Sequence, residues 1–253
     1  MTAPDRREAR SVVRSFPAAP TRDLRLEHHY LLCASTGTLR LEARGRAWLL
    51  PPARAALIEA GEPIRVSVPV PVTTASVLLH PGFAPPPPAP LAVFDLTPLA
   101  RHLLAECAAL PASADPLDAY ARPLFAALAA VTWRLAEHPA PVSVPVGRWA
   151  ELREALRLTG ERLGEDPRFT DLAAEVGLAP RSLARRFAEE TGTTWRAVLR
   201  RMRLLRAIEA LAGDEPITTI AHAVGYSSLS AFNAAFLDLT GRTPGEYRAS
   251  FRL

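Results

Sequence analysis

Ile220-Ala221-His222-Ala223-Val224-Gly225, followed by Phe236 and Gly241, has a counterpart upstream in Leu172-Ala173-Ala174-Glu175-Val176-Gly177, followed by Phe187 and Gly192. Gly225 stands 48 residues after Gly177, and in both copies a phenylalanine precedes the second glycine by five residues. A repeat of this size is one supersecondary unit built twice. Each copy reads as a short helix, a turn carrying glycine and a second helix, the geometry that sets a helix into a DNA major groove. Ala173 and Ala221 are small enough for two helices to cross closely. Val176, Leu183 and Phe187, like Val224, Phe232 and Phe236, are the expected core beneath.

Working outward, residues 149–163 predict one helix, and Thr170 is the expected cap of a short second one stopped by Gly177. Pro180 opens a third that runs to Gly192, a left-handed stop. Trp195, Val198, Leu199, Met202, Leu205 and Ile208 mark a longer amphipathic helix ending near Gly213. At about seventeen residues it spans roughly 25 Å, near the ~34 Å repeat that separates major-groove faces on one side of DNA. Thr218 or Thr219 is the expected cap of the next helix, Ser227 or Ser228 of the one running to Gly241, and residues 244–252 form a last turn or short helix. The copies differ in charge. Eight arginines lie between Arg181 and Arg206, whereas residues 210–241 hold three acids and no arginine.

The length of 253 residues, 49% hydrophobic and 22% charged, suits a globular protein of about two domains. All 30 basic residues are arginine, which reads as a genome-wide bias, so no single arginine is taken as a choice over lysine. With no long uncharged apolar run and no apolar segment after the first arginines, neither a membrane span nor a signal peptide is expected. That places the chain in the cytoplasm, associated with the nucleoid. Cys33 and Cys107 have no metal or disulfide spacing and read as buried, inert thiols.

Residues 1–23, polar and rich in arginine, are expected to be a flexible arm. Residues 24–33, 38–43, 47–50, 55–59, 64–68 and 72–80 are short runs with β-branched residues, divided by turns at 42–46 and 59–63, and predict a small β-barrel or sandwich over residues 24–90. The proline run 85–90 closes it as a stiff spacer. Residues 91–138 are expected to be helical, with Thr97-Pro98 as a cap and Leu117, Tyr120, Leu124, Leu128, Val131 and Leu135 as an apolar stripe. That stripe has two readings, packing on the barrel or pairing between two protomers. Residues 139–146 form the linker and 147–253 the doubled unit. The fold class is therefore α+β in two domains.

The segment from Gly177 to Gly192 with its Arg-Arg-Phe, and above all Ile220-Ala-His-Ala-Val-Gly-Tyr-Ser-Ser, Phe232, Phe236 and Gly241-Arg-Thr-Pro-Gly-Glu-Tyr-Arg, resemble the DNA-binding domain of AraC/XylS-family transcription regulators. The resemblance covers about the last hundred residues. It implies seven helices and two recognition helices in successive major-groove segments, often behind a cupin-like barrel, which residues 24–80 resemble more weakly. Carried over, Arg181, Ala184 and Arg185 are the base-reading positions of the first recognition helix, with Ser182 and Arg186 at phosphates. An arginine that bonds guanine bidentately supplies about 1–3 kcal/mol of discrimination. Leu229, Ser230 and Asn233 are the reading positions of the second helix. Arg196, Arg200 and Arg203 line one face of the connecting helix, which reads equally as a phosphate contact or a solvated face, and Arg242 after the second helix is a further phosphate candidate. Where the family has basic residues after its second reading positions, this chain has Ala234, Ala235, Leu237 and Asp238. The second unit is therefore expected to bind DNA weakly.

The cupin resemblance raises the question of metal. His28 and His29 are adjacent, so on a strand they face opposite sides, and only one can enter a barrel with His80. No metal, cofactor or enzymatic activity is expected, and His28, Tyr30, Trp48 and His80 are candidates for an effector pocket. The leading reading is a DNA-binding transcriptional regulator controlled by a small organic effector in the barrel, homodimeric, with double-stranded DNA as its partner and RNA polymerase as a candidate one. The competing reading is a cupin-type sensor or metal enzyme whose C-terminal domain binds DNA poorly.

Overall fold

Apolar residues at strand spacing make the front half of the chain β-rich. Its strands are β1 (Ala9–Phe16), β2 (Ala19–Leu24), β3 (His29–Thr36), β4 (Leu39–Ala43), β5 (Arg46–Leu50), β6 (Arg54–Ile58), β7 (Ile64–Val68), β8 (Val72–Leu79) and β9 (Leu91–Asp95). The structure is a computed structural model and describes residues 8–52, 54–69, 71–110, 118–139, 143–211 and 213–249. Leu117 of the stripe, residues 140–142 of the linker and the first seven residues of the arm lie outside the described residues.

The first sheet is antiparallel in the order β1-β8-β3-β6-β9, and β4, β7 and β2 are neighbours in a second one. Of the expected barrel or sandwich, the barrel is corrected: the strands form separate sheets, because the first ladder stops at its edge strands β1 and β9 instead of continuing. The expected arm is corrected too: from Ala9 it is β1, paired with β8 from Ala9 opposite Leu79 to Phe16 opposite Val72, and then β2, paired with β7. An edge strand tolerates polar residues on its open side, and β1 buries Ala9 and Ser11 while leaving Val13 to Phe16 exposed. The Ser11 hydroxyl donates to the Cys107 carbonyl at 2.7 Å. Residues 91–95, expected to begin a helical segment, form β9 against β6.

Two helices pack on this sheet: α1 (Pro98–Ala109), capped by the Thr97 hydroxyl, which accepts from the Ala100 N–H, and α2 (Ala121–Ala136). Leu31, Leu57, Val77 and Phe94 of the strands meet Leu104, Phe125 and Leu128 of the helices in one core. Leu124, Val131 and Leu135 pack on that core while Tyr120 is 59% exposed, so packing within the unit accounts for most of the stripe. The indole N–H of Trp133 donates to the Pro85 and Pro86 carbonyls, which ties the proline run to α2.

The C-terminal unit consists of residues 42–49 together with residues 141–252. Strand β10 (Val144–Pro145) pairs with β5, and then follow α3 (Ala150–Glu161), α4 (Phe169–Glu175), α5 (Pro180–Thr191), α6 (Trp195–Leu211), α7 (Ile217–Ala223), α8 (Leu229–Thr240) and α9 (Pro244–Ala249). Two of the expected caps are corrected. Thr170 lies inside α4, whose N-cap is Arg168, and Thr218 and Thr219 lie inside α7, whose N-cap is Pro216. In both cases an extended residue turns the chain without a side-chain bond. Ser228 does cap α8, accepting from the Ala231 N–H, and Gly192 and Gly241 stop α5 and α8 in the left-handed conformation. Among the described residues no helix is long and apolar enough to cross a membrane.

Candidate nucleic-acid interface

The repeat in the sequence is a repeat in space. Leu178 N–H bonds the Ala173 carbonyl at 2.9 Å, and Tyr226 N–H bonds the Ala221 carbonyl at 3.0 Å. These are equivalent bonds across the two turns, each beside a glycine at positive φ, Gly177 at 70° and Gly225 at 85°. Ala173 and Ala221 are fully buried where the helices of each pair cross. The first pair has a core of Leu172, Leu183 and Phe187 with Trp195, Val198 and Leu199 of α6. The second has Ile220, Val224, Phe232 and Phe236 with Leu204, Ile208 and Leu211 of the same helix. One helix thus serves as a wall for both cores.

The closing motif has a local reason at each position. Thr243 and Glu246 cap α9 reciprocally: Thr243 N–H donates to the Glu246 carboxylate at 2.8 Å, and Glu246 N–H donates to the Thr243 hydroxyl at 3.3 Å. The backbone donor at Thr243, with its hydroxyl, holds the Glu246 carboxyl below its usual range. Pro244 opens the helix, Tyr247 is buried against Phe236 at 5.5 Å between ring centres, and Arg248 donates to the Leu211 and Glu215 carbonyls. Arg203 makes a similar clamp earlier, donating to the carbonyls of Leu163 at 2.9 Å and Glu165 at 2.6 Å. Arg203, expected to face solvent or phosphate with Arg196 and Arg200, instead holds the segment after α3.

On α5 the side chains of Arg181, Ala184 and Arg185 are exposed, and Ser182 is half-buried. Arg185 has only a loose, solvated contact with Glu189 at 3.7 Å. Arg186 turns inward: its guanidinium lies 4.1 Å from the centre of the Trp149 ring and 3.1 Å from the Glu151 carboxylate. Glu190, which sequence reasoning did not single out, accepts the Arg148 N–H at 2.6 Å. The inner face of α5 therefore buttresses the start of α3, and its outer face carries Arg181 and Arg185.

On α8 the exposed residues include Leu229, Ser230, Ala234, Leu237 and Asp238, with Asn233 half-buried. Asp238 sits 3.8 Å from Arg200 and offsets part of that arginine's charge. Arg196 and Arg242 are exposed. The structure so places five of the six reading candidates on exposed faces and draws Arg186 away from solvent.

A family described as a helix-turn-helix domain matches residues 172–250. The HTH-type transcriptional regulator NimR of Escherichia coli is 24% identical over 221 residues, covering 87% of this chain and 79% of that protein. The RCS-specific HTH-type transcriptional activator RclR of the same organism is 40% identical over 82 residues, 32% of this chain. Residues 172–250 are thus similar to the helix-turn-helix domains of transcriptional regulators. The match spans 29% of RclR's own length. Among solved structures, an AraC-type DNA-binding protein of Chromobacterium violaceum matches 40% of the chain at 31% identity with a TM-score of 0.39. ToxT of Vibrio cholerae matches 96% at 13% identity with a TM-score of 0.42.

In the N-terminal unit the expected pocket residues divide. His28 is buried and meets His80 edge-on at 5.7 Å, while the neighbouring His29 meets Trp133 of α2 at 6.0 Å. His29 Nδ1 accepts the Ala60 N–H at 3.1 Å, and burial lowers its pKa. The Tyr30 hydroxyl donates to Ser76 at 3.3 Å. Trp48, on β5, falls within residues 42–49 of the C-terminal unit. No group of three or more histidine, cysteine, aspartate or glutamate residues suited to a metal ion occurs among the described residues. Burial pushes the Cys33 thiol up, and the Cys107 thiol up to about 12, so neither is a thiolate at neutral pH.

Proposed function

We propose that the regulator binds a bipartite operator chiefly through α5, with α8 as a weaker second reader. The supporting observation is the exposed pair Arg181 and Arg185, one helical turn apart on α5, against an α8 surface of Leu229, Ser230, Ala234 and Asp238. Arginine contributes both bidentate base recognition and counterion release, and the second helix, with Asn233 as a reader, has no basic residue for the latter. Asn233 pairs with adenine and Leu229 touches a thymine methyl in this reading. Ser182, Arg196 and Arg242 take phosphates, Arg200 takes one at the expense of its contact with Asp238, and Arg186 acts by fixing the tilt of α5 against α3.

Gel shifts with the regulator's own upstream DNA test this. Arg185→Ala is expected to weaken specific binding by about tenfold or more, from the ~1–3 kcal/mol of a guanine contact, and Asn233→Ala by clearly less. Equal losses would overturn the ranking. As part of the same proposal, a small organic effector held near His28, Tyr30 and His80 biases the DNA-binding state, the regulator acts as a homodimer, and RNA polymerase is its partner at the promoter. A ligand that alters operator affinity must bind the two states with different affinity. Operator titrations with and without each hit from a thermal-shift screen test that arm.

A further inference from the structure

We propose that the C-terminal unit carries a second, separate ligand site, a cavity for a small organic dianion such as a phosphate ester or a polycarboxylate. The cavity has a volume of about 280 Å³ and lies wholly within one compact unit. Arg44 and Arg46, at the tip of the hairpin between β4 and β5, Arg148, before α3, and Arg201, on α6, line it, together with Glu190 and Thr191 at the end of α5.

The walls are built rather than accidental. Arg44 takes a left-handed conformation at φ 51°, and Gly45 follows at φ 73°, which folds the tip back on itself. Gly45's carbonyl accepts the Val146 N–H at 2.9 Å, and β10 pairs with β5, Pro145 opposite Arg46. The hairpin tip is thereby fixed to the segment that leads to Arg148. Glu190 bonds the Arg148 N–H and so joins that segment to α5.

The charge around the cavity is unbalanced. Several arginines elsewhere in the unit find carboxylates: Arg157 has Glu154 and Glu161, Arg162 has Glu175, and Arg206 has Glu209. Among the described residues, Arg46, Arg148 and Arg201 form no such ion pair. Against the guanidinium groups of Arg46, Arg148 and Arg201 stand one carboxylate, Glu190, and the carbonyl end of α5, equivalent to about half a negative charge. The surplus of more than one positive charge, beside Arg44, favours a multiply charged anion. Guanidinium forks match carboxylate and phosphate oxygens bidentately. The volume sits at the lower end of small-molecule sites, roughly 300–1,000 Å³, so it suits a compact metabolite and not a nucleic-acid strand.

The experiment uses the full-length regulator at constant ionic strength. Glycerol 3-phosphate and citrate are the two probes, sodium chloride the control, and thermal unfolding the readout. At saturation the matching probe is expected to raise Tm by at least about 3 °C over chloride, and to lose that effect in Arg46→Ala/Arg201→Ala. The single variant Arg46→Glu, at the exposed start of β5, gives the same answer if the double variant is unstable. Which probe acts tells a phosphate ester from a polycarboxylate. No shift beyond chloride with either probe, or an undiminished shift in the variants, overturns the site. Because α5's reading residues are left intact, operator binding by the unliganded variants reports separately on the DNA-binding proposal.

Discussion

A Cβ added to Gly225 would stand 2.4 Å from the Leu163 carbonyl oxygen and 2.6 Å from an Arg203 nitrogen, on a backbone at φ 85°. The equivalent Gly177 has φ 70° and nothing within 4 Å. The two glycines look alike in the repeat, yet only the second is also a packing requirement. Gly177→Ala is expected to cost about 1 kcal/mol from conformation alone, and Gly225→Ala several times that, both measured by chemical denaturation. Arg203→Ala, which leaves two carbonyls without their charged donor, should cost about 1–3 kcal/mol. His29 offers a test by pH. Its folded pKa is lowered by burial, so the unfolded chain takes up the proton first as pH falls. The neutral ring's contribution is complete above about pH 6.5 and is lost as pH drops from there toward the lower folded value. His29→Asn, which keeps an acceptor for Ala60 N–H, should flatten that part of the stability profile. The sequence showed that positions 177 and 225 needed glycine for a turn, but the approach of Leu163 and Arg203 depends on tertiary contacts across dozens of residues. Arg186 was misplaced for the same reason: the helical spacing of Arg185 and Arg186 is legible, whereas Trp149 and Glu151 waiting on α3 are not.

Elements were legible wherever periodicity and punctuation agreed. Pro180 and Gly192 bound α5, Ser228 and Gly241 bound α8, and α6 has the length its apolar spacing implies. The misses fall where the local signal pointed elsewhere. In β1 and β2 the arginines suggested a solvated arm, and only pairing with β8 and β7 makes them strands. Threonines that look like caps at 170 and 218–219 entered their helices because extended backbone before them was enough. The charge difference between α5 and α8 was legible outright, since it needs no structure. It predicts a gain of function. Ala234→Arg, on the exposed face of α8, should raise operator affinity and steepen its salt dependence by about 0.9 in log K per log salt, as measured by binding titrations across salt concentrations. An unchanged slope would mean that α8 does not approach the backbone.

At the scale of the whole molecule, the boundary between the units does not follow the linker. Residues 42–49 belong with the C-terminal unit, and β10 relies on β5 for its partner. A fragment beginning at residue 143 lacks that strand and should unfold at a lower temperature than the same unit within the full chain, by calorimetry. The two helix-turn-helix cores also share a wall. Phe187→Ala and Phe236→Ala should each cost about 3–5 kcal/mol, and because both cores rest on α6, either should melt the C-terminal helices in a single circular-dichroism transition.

That common wall sets an angle as well as a distance. An α-helix turns about 100° and advances about 1.5 Å per residue, so the face that Val198 and Leu199 offer to the first core and the face that Leu204, Ile208 and Leu211 offer to the second fix how far one reading head is rotated from the other. One residue inserted between Leu199 and Leu204 would turn α8 by more than a quarter circle about the axis of α6 while hardly lengthening the gap. DNA winds about its own axis too. On the proposed function the chain would measure the twist of its operator rather than its length, and a spacer altered by half a helical turn should abolish two-site binding more completely than one altered by a full turn.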